Sequence, residues 1–172
     1  MKKLESTWYN MALVLTGIAV VAGAALGYVN NVTAPTIEAL KAQQEKEAEQ
    51  QVLNGQEGTA IKITDPKGFG GALTVMVGLA KDGTILGYKV LESSETPGLG
   101  AKAQDWFQKG QKGDIIGKTA GDLTVSKDGG EVDAITASTI TSRAFLRCIK
   151  AAYDKLSESS DAQSGATVKG ER

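Results

Sequence analysis

Val132-Asp133-Ala134-Ile135-Thr136-Ala137-Ser138-Thr139-Ile140-Thr141-Ser142-Arg143 places five hydroxyl side chains within seven residues. Just upstream, Lys127-Asp128-Gly129-Gly130 reads as a tight turn. Downstream from Thr141, the positions Phe145, Cys148, Ile149, Ala152, Tyr153 and Leu156 recur at helical spacing and define one apolar face. A helix therefore begins in or near the hydroxyl cluster. Its first turn offers unpaired N–H groups and the positive end of the helix dipole, which suits a phosphate. By residue chemistry alone the cluster has three readings: a plain helix cap, a non-covalent anion site, or a hydroxyl that carries a phosphate as an ester.

Working back from this stretch, 61–91 reads as a pair of strands. Leu73 to Val77 and Ile85 to Val90 flank Lys81-Asp82-Gly83, and Asp-Gly is a strong hairpin signal. Glu95-Thr96-Pro97-Gly98-Leu99-Gly100 is a loop by its proline and glycines. Ala103 to Lys109 is expected to form a short helix presenting Trp106 and Phe107. Asp114-Ile115-Ile116 and Leu123-Thr124-Val125 are short strand candidates. Residues 157–172 are small, polar and without periodicity, and read as a disordered tail.

At the other end, Met11 to Val29 is nineteen residues without a charge, about the length that crosses a bilayer core as a helix. Trp8 and Tyr9 flank one end and Tyr28 the other, as interfacial anchors do. Lys2 and Lys3 precede the span, so the positive-inside bias puts the N-terminus in the cytoplasm and the main domain on the opposite side. Ala22-Gly23-Ala24 resembles a signal-peptide cleavage site, but the apolar run exceeds a typical signal core, and an uncleaved anchor is expected. Residues 37–53, rich in helix formers, are read either as a stalk or as a surface helix packed on the domain through Ile37, Leu40 and Val52. The reading is thus an α+β chain: cytoplasmic N-terminus 1–10, transmembrane helix 11–29, stalk or linker helix 30–55, domain 56–156 and tail 157–172. The domain is expected to carry a twisted antiparallel sheet with flanking helices.

Composition narrows the chemistry. The chain has 172 residues, 19 basic and 20 acidic, for a net charge of −1, so no nucleic-acid partner is expected. It has no histidine, which excludes imidazole bases and histidine metal sites. The single cysteine, Cys148, lies on the apolar helix face and reads as a small buried hydrophobe.

Asp133-x-x-Thr136-x-x-Thr139 resembles the flavinylation motif D-x-x-[ST]-G-A-T of FMN-binding domains. Gly68-Phe69-Gly70-Gly71, the glycine-rich hairpin from Val77 to Gly87 and Glu95-Thr96-Pro97-Gly98-Leu99-Gly100 follow the same family order behind one N-terminal span. Together they resemble the G subunits of Rnf-type ion-translocating electron-transport complexes, relatives of the C subunits of Na⁺-translocating NADH:quinone reductases. The resemblance implies a covalent FMN, its phosphate esterified to Thr139 by an FAD-dependent flavin transferase. It implies that Asp133, Thr136 and Ser138 belong to the modified motif and phosphate pocket, and that Glu95, Thr96, Leu99 and Gly100 line the ring or ribityl region. Ser142 and Arg143, in the first helical turn, are inferred as phosphate contacts. No catalytic residue and no metal are expected. The implied role is an electron relay in the bacterial inner membrane, within a complex coupling ferredoxin:NAD⁺ electron transfer to Na⁺ or H⁺ translocation. A stand-alone membrane-tethered FMN reductase and a non-flavinylated binding module are the alternatives.

Two departures from the motif stand out. Ala137-Ser138 replaces Gly-Ala, and if the glycine normally takes positive φ, Ala137 is strained. Ser93 stands where the family often has a histidine. A second match, Asp161 to Thr167, fits the motif's letters better but has no following amphipathic helix, so Thr139 is preferred over Thr167.

Overall fold

The computed structural model describes residues 8–165. The chain divides into two compact units, one ending at Gln43 and the other beginning at Gln44. In the first, α1 (Trp8–Leu53, extending into the second unit) is the one helix among the described residues long and apolar enough to cross a membrane. Its apolar side chains are exposed all round, from Leu13 at 73 % to Leu26 at 72 %. A helix that is apolar on every side and unburied is what a lipid environment requires. Pro35 lies inside α1 and cannot donate to the preceding turn. Just before it, the Thr33 hydroxyl folds back onto the Val29 carbonyl at 2.8 Å.

The second unit is built on three antiparallel strands, β1 (Thr59–Asp65), β2 (Leu73–Leu79) and β3 (Ile85–Ser93), in the order β1-β2-β3. All seven residues of the central β2 are buried, because the sheet is covered on both faces. One face turns Leu73, Val75, Val77 and Leu79 into the main core. The other turns Met76 toward Ala48 and Val52 at the end of α1. Gly78 and Gly87 pair across β2 and β3. A Cβ on Gly78 would lie 2.4 Å from the Val52 carbonyl oxygen, and one on Gly87 2.8 Å from it, so these glycines let the helix end sit directly on the sheet. Of the three residues proposed to dock 37–53, only Val52 is buried, while Ile37 and Leu40 stay exposed. Residues 44–53 therefore pack as a domain helix.

The Asp82-Gly83 hairpin forms as its sequence requires. Gly83 takes a φ of 82°, and the Asp82 carboxylate accepts the Thr84 N–H at 3.0 Å. Above the main core face lies α3 (Thr139–Gly165), with Phe145 at its centre. Phe107 stacks on Phe145 at 4.4 Å, and Tyr88 meets Phe145 edge-on at 4.7 Å. The Tyr88 hydroxyl donates to the Ala103 carbonyl at 2.9 Å and accepts the Phe107 N–H at 3.2 Å. That ties β3 to α2 (Ala103–Trp106), which is shorter than the helix expected to reach Lys109.

The strands expected at 114–116 and 123–125 do not form. Asp114 spends its carboxylate on local N–H groups, those of Gly110 at 2.7 Å and Ile116 at 2.9 Å, which holds a turn rather than a ladder. Only Ile115 enters the core there. The second segment makes a single parallel bridge, Val125 to Val132, closed by the Ser126 N–H on the Val132 carbonyl. At the C-terminal side, the helix expected to end at Leu156 runs on to Gly165. No glycine or proline interrupts 139–164. The hydroxyls of Ser157, Ser159 and Ser160 are absorbed by carbonyls of the preceding turn rather than breaking it. Part of the segment read as a tail is therefore helical. Thr167 lies outside the described residues.

Candidate functional site

The hydroxyl cluster is a turn followed by a helix start. The Ser138 N–H bonds the Ile135 carbonyl at 3.0 Å, closing a turn whose third residue, Ala137, has a φ of 60°. Turns with left-handed geometry at that position favour glycine, so the substitution of alanine for the motif's glycine places a strained residue here. Ser142 locks the arrangement from beneath. Its Oγ donates to the Ser138 carbonyl at 3.0 Å and accepts the Ile135 N–H at 2.9 Å, and the residue is fully buried. Thr139, the first residue of α3, is half-buried, and its Oγ1 accepts a hydrogen bond from the Lys127 ammonium at 3.1 Å.

Facing this helix start is the loop 95–100. Glu95 is buried at 7 % exposure, and its carboxylate accepts the Phe69 N–H at 2.8 Å. That bond joins the loop to the glycine-rich stretch 68–71. The residues just before that stretch are fixed from α3, because Arg147 pairs with Asp65 at 2.6 Å and donates to the Lys67 carbonyl at 3.1 Å. Ser93 supports the loop by accepting the Glu95 N–H at 3.2 Å. Gly100 must be glycine: a Cβ would lie 2.5 Å from Glu95 Oε2 and 2.8 Å from Thr141 Oγ1.

Between the loop and the helix start lies a cavity of about 340 Å³, a volume in the range of small-molecule sites. Glu95, Thr96, Leu99, Gly100, Ser138 and Thr139, all expected from the sequence, line it together with Phe69, Ala137, Ile140 and Thr141. Phe69, Leu99 and Ile140 are large apolar side chains left 42–70 % exposed at its rim. Thr141 Oγ1 is buried and, among the described residues, is the one buried side-chain oxygen or nitrogen with no hydrogen-bond partner. A buried hydroxyl left unpaired is costly unless something else pairs with it.

The other expected site residues lie elsewhere. Asp133 is exposed, and its carbonyl accepts the Trp106 indole N–H at 2.8 Å. Thr136 is exposed in the turn ahead of Ala137. Neither lines the cavity, and neither does Ser142, whose hydroxyl is consumed inside the turn. Arg143 is committed to Asp128 through two bonds of 2.7 and 2.6 Å, outside the cavity. That pairing holds the Asp128 carboxyl below its usual range and raises the Arg143 guanidinium further. Five residues at the site are not marked as such by the sequence: Phe69, within its glycine-rich stretch; Ala137 and Ile140, on either side of the Ser138-Thr139 pair; Thr141, one hydroxyl of five; and Lys127. For Lys127 the available signal is a basic residue in the turn just before the cluster.

Comparison with known proteins gives this geometry a family. Residues 68–154, 87 of the 172, match the family model of the FMN-binding domain. The chain belongs to the FMN-binding domain family. Residues 1–54 match a second model, the RnfG N-terminal region. Among the curated relatives, the chain is 37 % identical over 115 residues to the G subunit of the ion-translocating oxidoreductase complex of Vibrio atlanticus, covering 64 % of this chain and 55 % of that protein. It is 42 % identical over 96 residues to the G subunit of the same complex from Salmonella typhi, and 40 % over 96 residues to that of Escherichia coli, each covering 54 % of this chain and 47 % of the relative. The chain thus spans about half the length of the relatives it matches.

The residues present fit an FMN. The apolar rim suits a flat ring, the orphaned Thr141 hydroxyl and the Glu95 carboxylate offer polar partners inside, and the free N–H groups of the first turn of α3 suit a phosphate.

Proposed function

We propose that this chain is a membrane-anchored flavoprotein subunit of an Rnf-type ion-translocating oxidoreductase complex, with its FMN esterified through the phosphate to Thr139. The observation that carries the reading is the position of the Thr139 hydroxyl. It opens onto the cavity at the first residue of α3, half-exposed, with a lysine ammonium beside it. The neighbouring hydroxyls are less available: Ser138 is 8 % exposed and Ser142 is fully buried. Bound there, FMN supplies one- and two-electron redox chemistry, the chemistry of the cofactor itself.

The chain's own part is to hold and orient. Phe69, Leu99 and Ile140 would shield the ring, Glu95 and Thr141 would offer it polar partners, and the α3 N-terminus would receive the phosphate. No histidine is present to act as a base, which suits a relay between carriers better than a substrate-transforming site. An FAD-dependent flavin transferase matures the protein. Other membrane and peripheral subunits of the complex exchange electrons with it. By the positive-inside bias, the N-terminus lies in the cytoplasm and the flavin domain on the outer side of the inner membrane.

The test is the chain expressed with a flavin transferase and run on a denaturing gel under ultraviolet light. A fluorescent band is expected for the wild type and for Thr167→Ala, and a dark one for Thr139→Ala, with the FMN mass mapped to the Thr139 peptide. Fluorescence surviving in Thr139→Ala, or an FMN mass on the C-terminal peptide, overturns the assignment.

A further inference from the structure

Lys127 sits where a structural role does not explain it. Its ammonium donates to Thr139 Oγ1 at 3.1 Å, at the N-terminal end of a 27-residue helix. That end already carries partial positive charge, so a cation there is opposed by the dipole. The adjacent carboxylate does not compensate, because Asp128 is held in a two-bond fork by Arg143. Glu95, the one carboxylate lining the cavity, accepts the Phe69 N–H. The Thr139 corner of the site therefore gathers a lysine ammonium and the first N–H groups of α3. Deeper in the same cavity the Thr141 hydroxyl is buried at 1 % exposure and unpaired, which independently marks the cavity as built for a ligand.

Resting on the reading that Thr139 is the flavin-bearing residue, we infer that Lys127 is a charge-stabilising residue for the flavin transfer and afterwards the counter-cation of the phosphodiester. In the transfer, Thr139 Oγ1 attacks the FMN-side phosphorus of FAD. The new Oγ–P bond forms as the bridging P–O bond of the diphosphate breaks. AMP leaves with that electron pair, and the hydroxyl proton passes to a base of the transferase. Lys127 stays protonated throughout. It orients the Thr139 oxygen beforehand and neutralises charge on the transferring phosphoryl oxygens as they approach. The position of Lys127 is set by its neighbours: it lies in the helical turn Ser126–Asp128, between buried Val125 and the Asp128–Arg143 fork.

The experiment follows the initial rate of flavin incorporation into the full chain, in detergent, with purified transferase and FAD, by in-gel fluorescence and intact mass. Lys127→Met and Lys127→Gln are each expected to slow incorporation by about tenfold or more. Lys127→Arg, which keeps the charge, is expected to remain within about threefold of wild type. Lys127 is exposed, so thermal melts of these variants are expected to match wild type. A wild-type rate in Lys127→Met or Lys127→Gln overturns the inference. So does a Lys127→Arg rate as low as that of the neutral variants, since that would assign the effect to shape rather than charge. If instead wild type takes up no flavin, or Thr139→Ala takes it up equally, the underlying assignment of Thr139 has failed, and this inference falls with it.

Discussion

Ala137→Gly isolates the cost of the motif's departure. Ala137 holds a φ of 60° with its side chain exposed, so the substitution removes a methyl group that buries little surface. Left-handed backbone costs a non-glycine residue roughly 1–2 kcal/mol. Glycine returns part of that gain through its freer unfolded chain, about 0.4–1 kcal/mol. Taking the middle of each range, the variant is expected to be more stable by about 0.8 kcal/mol, or roughly 2–3 °C in melting temperature for a chain of this size. Ala101 supplies the control: it too is exposed, and among the described residues only Asn54 and Ala137 are non-glycines with positive φ. Ala101→Gly therefore carries only the unfavourable unfolded-state contribution, a loss of about 0.4–1 kcal/mol. The two substitutions, identical in chemistry, should move the urea midpoint in opposite directions when unfolding of the detergent-solubilised chain is followed by circular dichroism. Equal destabilisation by both would refute the strained turn. Flavin incorporation should not fall in Ala137→Gly, because the turn already has the geometry that glycine prefers.

Other outcomes follow from the same packing. Gly100→Ala puts a methyl group 2.5 Å from Glu95 Oε2 and should displace that carboxylate from the Phe69 N–H. The expected result is a loss of about 1–3 kcal/mol in a urea titration, with the absorption spectrum of bound flavin altered. Burial pushes the Cys148 thiol up to about 12, with the Asp65 carboxylate adding to the shift. Its folded pKa thus exceeds its unfolded one, so its contribution is fully present below about pH 8.5 and is lost as pH rises through the folded value. Between pH 9 and 10 wild type should lose about 1 kcal/mol more stability than Cys148→Ala. A disulfide-exchange reagent at pH 8 should leave the native thiol untouched, and rapid labelling without denaturant would contradict its burial.

What the residues disclosed in advance follows the range of the interactions involved. The Asp82-Gly83 hairpin was legible because its turn is closed by residues near in sequence, and the apolar face of α3 because helical periodicity writes it into the local sequence. β1 was not separated from its neighbours, because what defines it is its pairing to β2 across the intervening 66–72 segment. The strands expected at 114–116 and 123–125 failed for a related reason: each has three residues with one buried side chain, the first loses its ladder to the Asp114 carboxylate capturing nearby N–H groups, and the second makes only the Val125–Val132 bridge. At the site, the loop 95–100 and the hydroxyl cluster were visible as motifs. The partners that give them geometry were not. Phe69 reaches Glu95 from 26 residues away, and Lys127 reaches Thr139 from 12.

The five hydroxyls of the opening cluster are chemically alike and structurally unequal, and their burial sorts them. Ser142, fully buried, satisfies the Ile135 N–H and the Ser138 carbonyl, so it holds the shape of the turn and has nothing left to offer a ligand. Ser138 is nearly buried, and its carbonyl accepts the first backbone bond of α3 from the Ser142 N–H. Thr136 is exposed but lies outside the cavity lining. Thr141 lines the cavity with its oxygen sealed from solvent, so it can pair with something bound there but has no route to a second enzyme's active site. Thr139 alone combines partial exposure, a place on the cavity wall and a cation on its oxygen. A hydroxyl that is to carry a cofactor's phosphate, as proposed for Thr139, needs all three. A plain cap would need none of them, since the turn is already closed by Ser138 and Ser142.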